Sequence, residues 1–382
     1  MEFSYVMNNK GKIVLAIAIL MPLSLLLLQY LYFRPAIVDA YAGEPDAFIK
    51  FILDILYPRF TIEKERFDLP FFLTKADQVI YRFSIVYYLL LCTLYFYKTN
   101  NSLKLKINNF FYTKTTSKNI ASLRVIFFSY FFYFSYEIID GLIFNQSLRL
   151  FYKPVYLLSF FNIPFPNHYT LLLIGGFWYL LNCLLILNIR VILCSSLSLL
   201  IFILFQCWSF SFEKVDHGYA TITYAYLLVP FLLNEKRKNA PIFDSWSLQL
   251  IRISIAMVYF MSSLEKIFIS QLSWIKADNL KTYLSFHETQ LSKIITQNDF
   301  LCVLLSSSAL VLQLSFILIL FIPRLKWIWI VGGILFHTGT LILMNIGIPL
   351  NPWILVYIFF FDWTKIYDFF SDRFKKLNIF SS

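Results

Sequence analysis

Lys266 stands near the end of an apolar run, 248–269, with Glu265 beside it. A lysine at that depth is costly unless it is paired, hydrated or put to use. Three fates compete for it. Its stem can lie along apolar surface and carry the ammonium out to the headgroups. It can pair with a carboxylate, although Glu265 is a poor choice, because sequence neighbours on a helix point about 100° apart. Desolvated, it can act as a base near neutral pH. Arg252, Tyr259 and Lys266 are spaced by seven, with Ser262 and Ser263 between the last two, so a helix places them in one polar stripe. His337 lies in the middle of another apolar run and shares a helical face with Gly333, Thr340 and Met344. It either hydrogen-bonds across helices or serves as an acid, base or orienting group. His217, in the polar stretch 213–218, is either a solvated loop histidine or part of the same site.

The elements that must carry these residues are membrane helices. Apolar residues make up 59% of the chain and charged residues 14%, more apolar surface than a water-soluble fold can hide. Runs of about 18 apolar residues recur, each long enough to cross a hydrocarbon core of roughly 30 Å. The pattern predicts an all-α, polytopic integral membrane bundle of about ten spans: 13–33, 79–97, 120–144, 168–189, 191–211, 219–233, 247–269, 300–322, 326–347 and 350–363. Residues 100–118 and 147–167 mix basic and aromatic side chains and read as interfacial. Three regions follow: 1–117 with an external loop at 34–78, a membrane domain at 118–365, and a short tail at 366–382. The first run is read as a retained helix rather than a cleaved signal.

The net charge of +11 does not point to nucleic acid, because the basic residues gather in short loops. Lys10 and Lys12, the lysines of 98–119, Lys236 to Lys238, Arg324 with Lys326, and the basic tail fall on one side of a ten-span topology. The loop 34–78 on the other side holds six basic and eight acidic residues. The positive-inside rule makes the basic side cytoplasmic and both termini with it. His217, Lys266 and His337 then lie in the external half or at the external surface, near Glu137 and Asp140. Titratable groups gathered at one level make a site worth considering. The five cysteines all lie in apolar stretches without CxxC spacing, so neither a metal nor a disulfide framework is expected. No glycine-rich phosphate loop, GxSxG or HExxH occurs. Repeated halves and broken helices, marks of many transporters, are not evident. The Phe, Ile, Lys and Asn content suits an A+T-rich bacterial source, and hence a bacterial cytoplasmic membrane.

Tyr259-Phe260-Met261-Ser262-Ser263-Leu264-Glu265-Lys266, followed by Trp274 and Asn279-Leu280-Lys281-Thr282-Tyr283-Leu284, resembles the HTTM family. That is the horizontally transferred transmembrane domain related to the vitamin K-dependent γ-carboxylase. Phe336-His337-Thr338 with Leu343 to Pro349, Asp216-His217-Gly218-Tyr219, and Ala121-Ser122-Leu123-Arg124 extend the resemblance over roughly 118–365. It implies that Lys266 deprotonates reduced vitamin K (menaquinol in a bacterium). Oxygen then converts the quinol to a strong base and finally an epoxide. The base takes a γ-proton from a glutamate, and carbon dioxide adds. His217 and His337 would orient or stabilise charge, and the substrate would be an exported peptide. Two departures stand against this. The carboxylase carries a large extra-membrane domain where this reading places a short tail, and Glu265 beside Lys266 opposes base character. Small bacterial members also resemble the sporulation-delaying protein B group, which implies the alternative: a non-enzymatic accessory protein in secreted-peptide maturation or export.

Overall fold

A computed structural model of the chain describes residues 9–57, 60–212, 219–235, 242–286, 289–347 and 351–369. The chain folds into two units, each almost wholly helical. Among the described residues, eight helices are long and apolar enough to cross a membrane. The protein is therefore a helical membrane protein.

The first unit comprises Met1–Asn109, Ser147–Pro166 and Cys207–Lys214. Helix α1 (Asn9–Leu28) runs through a π turn, Gln29–Phe33, into α2 (Arg34–Ala42). Pro35 has no N–H to offer the preceding turn, and the π turn absorbs that lost bond. Then come α3 (Ala47–Leu56), α4 (Phe60–Glu63), α5 (Leu69–Thr99) and α6 (Asn101–Phe111), the last reaching just past the unit. The stretch 34–78, read from sequence as a loop, is thus mostly helical. Asp46 caps α3, and Asp68 caps α5 ten residues before the expected start of the second span. Charge masks the helices here, and one pair of charges is neutralised between them. Arg34 Nη1 lies 2.5 Å from Asp77 Oδ2, and the buried Gln29 amide donates to Asp77 Oδ1 at 3.0 Å. Replacing Asp77 by alanine orphans both partners. The expected cost is about 2 kcal/mol, read as a lower unfolding temperature in detergent. In 147–167, α8 (Leu157–Phe160) and its neighbours expose Leu150, Phe151, Phe160 and Phe161, as an interfacial segment would.

The second unit comprises Phe110–Gln146, Asn167–Gln206 and Val215–Ser382. Its helices are α7 (Ser117–Phe144), α9 (His168–Ile186), α10 (Val191–Phe210), α11 (Ala220–Asn234), α12 (Trp246–Ser270), α13 (Ala277–Phe286), α14 (Gln290–Thr296), α15 (Asp299–Ser315), α16 (Lys326–Met344) and α17 (Pro352–Leu355). Their core is aromatic. Phe127, Phe131 and Phe134 recur on one face of α7 and meet Trp178, Phe202 and Tyr226. Polar atoms of that core are linked: Trp178 Nε1 donates to Ser198 Oγ at 2.8 Å, and Ser198 to Asn182 Oδ1 at 3.1 Å.

One end of this unit gathers the described parts of the basic loops. Strand β1 (Thr113–Thr115) pairs antiparallel with β2 (Phe243–Ser245), tying the start of α7 to the start of α12. Trp363 N donates to Asn119 Oδ1 at 2.8 Å, Lys118 pairs with Asp368 at 2.5 Å, and Lys326 Nζ donates to Phe360 O at 3.0 Å. At the far end Tyr219 meets Phe134, and Thr289 Oγ1 donates to Leu343 O at 3.5 Å.

Two expected spans are short. The sixth is a helix of 15 residues, α11. The last is four α-helical residues, α17, followed by a five-residue 3-10 stretch, Val356–Phe360. This final segment is the broken helix that hydropathy did not reveal. Asn345 and Gly347 take left-handed backbone (φ 52° and 105°), and a helical segment begins at Pro352, capped by Asn351.

Candidate functional site

Helix α12 rises from the basic end, its first turn capped by Ser245 Oγ, which accepts from Leu248 N at 3.1 Å. The seven-residue stripe is real, and each member does something different. Arg252 anchors the basic end: its Nε donates to Phe359 O at 2.7 Å and its Nη1 to Thr113 Oγ1 at 2.9 Å. Tyr259 lies about two turns on and is buried (1% exposed). Lys266 lies about two turns farther, half-buried toward the far end.

Tyr259 is the hub of a buried hydrogen-bonded chain. Its Oη is 2.6 Å from His337 Nε2 and 2.5 Å from Tyr357 Oη. A hydroxyl donates once, so the chain has two arrangements. Either Tyr357 donates to Tyr259, which donates to an unprotonated Nε2, or Nε2–H donates to Tyr259, which donates to Tyr357. Switching between them needs a change of histidine tautomer and rotation of the hydroxyls, because a proton passed from Tyr357 through to Nε2 would leave a buried tyrosinate and an imidazolium. Aromatic rings wall it in: Phe316 stacks on Tyr259 at 4.2 Å, and Trp353 stacks on His337 at 5.1 Å and meets Tyr259 edge-on at 5.2 Å. Tyr259→Phe leaves two buried groups without their shared partner, whereas Tyr357→Phe removes only the end of the chain. The former is expected to destabilise by about 2–3 kcal/mol and the latter by about 1, measured as paired thermal melts.

Lys266 belongs to a second arrangement. Its ammonium donates to Ser262 Oγ at 2.7 Å and Ser262 O at 3.3 Å, and it sits 5.1 Å from the centre of the Trp274 ring. Glu265 is exposed. Trp274 arrives through the turn that ends α12. Gln271 adopts φ 52°, and the 3-10 stretch Gln271–Ile275 brings the indole back over the lysine. Asn279 Nδ2 donates to Trp274 O at 3.1 Å and the Tyr283 ring packs 5.8 Å from the indole, so the ring is held from its far side. The indole Nε1–H is buried with no hydrogen-bond partner among the described residues. A donor shut away from water without an acceptor is costly, and it invites a ligand oxygen.

The family resemblance of the sequence gains no support from known proteins. No family profile matches the chain, and neither curated proteins nor solved structures give a significant match.

The sequence reading placed Lys266, His337 and His217 in one site. The structure puts Lys266 and His337 at different depths, joined through α12: His337 bonds Tyr259, and Lys266 follows on the same face about two turns beyond. His217 lies outside the described residues. Glu137 sits beside Tyr133 on α7, and Asp140 is exposed. Gly333 leaves room on α16 for the Tyr357 hydroxyl. Tyr357 and Trp353 were not anticipated, because nothing in a short apolar segment marks which tyrosine will face a histidine.

Proposed function

We propose that the second unit is a quinol-dependent enzyme of the carboxylase type, working on an exported peptide, with Lys266 and Trp274 at the reacting oxygen. The observation that carries this reading is the buried, unpartnered Trp274 N–H beside the Lys266 ammonium. The indole N–H has no acceptor among the described residues, and the ammonium lies over the face of the same ring. That donor set fits a phenolic oxygen and favours it as negative charge develops there. A reduced vitamin K-type quinol bound there would supply, with dioxygen, the strong base that such chemistry needs.

The chain's own residues supply the proton handling. Lys266 takes the hydroxyl proton as an amine and holds it as an ammonium. Ser262 suits both states, because a hydroxyl can donate to an amine and accept from an ammonium. The Ser262 carbonyl and the Trp274 face hold the charged form. Tyr259, His337 and Tyr357 form a buried hydrogen-bonded cluster on the basic side of Lys266 that fixes the part of α12 from which the lysine projects. Both arrangements lie within apolar helices, where a lipid-soluble substrate can arrive and water is excluded. The positive-inside assignment supports the external half of the bilayer, the place for an exported peptide, and the residue composition supports a bacterial cytoplasmic membrane.

Trp274→Phe keeps the ring and deletes the donor. Binding of a short-chain naphthoquinol to the purified protein, followed by equilibrium dialysis, is expected to weaken about tenfold, the worth of one buried hydrogen bond to an oxyanion. Equal binding by wild type and Trp274→Phe would remove the observation on which the reading stands.

A further inference from the structure

A cavity of about 420 Å³ opens at the basic end of the second unit, between α7, α11 and the turn joining α9 to α10. Its wall contains Arg124, Asn188, Arg190, Ile192, Leu193 and Asn234. Two guanidinium groups thus line one cavity, and none of its lining residues is acidic.

Arg124 is the unusual member. It is the eighth residue of α7, about 10 Å up from the helix start, and only 8% exposed. Its Nη1 donates to Asn188 Oδ1, while its Nε is buried with no partner among the described residues. An arginine withdrawn from water needs a counter-charge, since its desolvation is otherwise uncompensated. Glu235, which follows the lining residue Asn234, is already committed to Ser245 Oγ and Ser247 N. Arg190 is exposed at the mouth, in the turn where Asn188 and Arg190 take left-handed backbone (φ 66° and 40°).

We infer that this cavity binds a phosphate ester, with Arg124 as the buried anchor, Arg190 as the outer clamp and the Asn188 and Asn234 amides at its side. Guanidinium forks match phosphate oxygens in charge and geometry. Ile192 and Leu193, about half exposed on the wall, offer aliphatic surface next to the anion position. A phospholipid headgroup with its acyl chains along them satisfies both halves of the cavity, and a soluble phosphate satisfies only the polar half.

The test uses the purified full-length chain in detergent, with three probes: dioleoylphosphatidylglycerol, dioleoylphosphatidylcholine and inorganic phosphate. Retained lipid is read by native mass spectrometry and affinity by titration. Saturable binding of phosphatidylglycerol, weaker for phosphatidylcholine and reduced about tenfold in Arg190→Gln, is the expected result, tenfold being the loss of one charge-assisted contact. Arg190 is exposed, so this variant tests the site without disturbing the core, and Arg124→Lys should weaken binding further by removing the fork. If inorganic phosphate alone binds, and Arg190→Gln weakens it equally, the site stands with a soluble ligand. Absence of saturable binding by all three probes, or binding that Arg190→Gln leaves unchanged, overturns the inference.

Discussion

Lys266→Ala is expected to lower turnover of the quinol by a factor of about 10² to 10⁴, the usual contribution of a positioned general base. The loss should fall on the chemical step rather than on folding. Lys266 is half-buried, and its hydrogen bonds go only to Ser262 on its own helix. Removing it therefore frees only Ser262, which is itself partly exposed, at a stability cost of about 1 kcal/mol or less. Lys266→Met separates packing from chemistry: it retains a long apolar stem against Trp274 and has no base. Both variants should insert and melt near wild type while losing turnover alike. If Lys266 were instead a structural cation, Met would melt lower and turnover would track the amount of folded protein.

Gly333→Ala is expected to destabilise the second unit by about 3 kcal/mol or more, read as a fall in melting temperature or as early proteolysis. A Cβ at this position would stand 2.0 Å from Tyr357 Oη and 2.7 Å from Tyr357 Cζ. Neither atom can yield, because the hydroxyl is held by Tyr259 and the ring is fully packed. The clash therefore breaks the buried hydrogen-bonded chain as well as overfilling the core. Gly339→Ala on the same helix meets nothing within 4 Å and should be neutral or slightly stabilising. Tyr357→Phe in the Gly333→Ala background should recover part of the loss, since it deletes the atom in closest conflict.

Long spans were legible because apolar length is a strong signal, and the structure places α5, α7, α9, α10, α12, α15 and α16 over seven of the expected spans. The failures have physical causes. The 34–78 stretch looked like a loop because its charges are read singly in sequence, whereas Arg34 and Asp77 neutralise each other between helices. The final segment looked like a short span because Pro352 follows an apolar run without announcing that the helix before it has already ended. The site was partly legible. The seven-residue stripe put Tyr259 and Lys266 on one face, and the intramembrane histidine drew attention to His337. What remained hidden was tertiary: that Tyr357 completes the chain from His337, and that the Trp274 indole folds back over Lys266 with its N–H unanswered.

The most direct measurement is quinone epoxide in membranes of a menaquinone-containing bacterium expressing wild type, Lys266→Ala or no protein, by mass spectrometry at matched protein levels. Epoxide well above background with wild type alone is the predicted result, and it would assign the oxygen-dependent half of the reaction to Lys266. Equal epoxide in all three membranes would contradict a quinol-dependent role for this lysine.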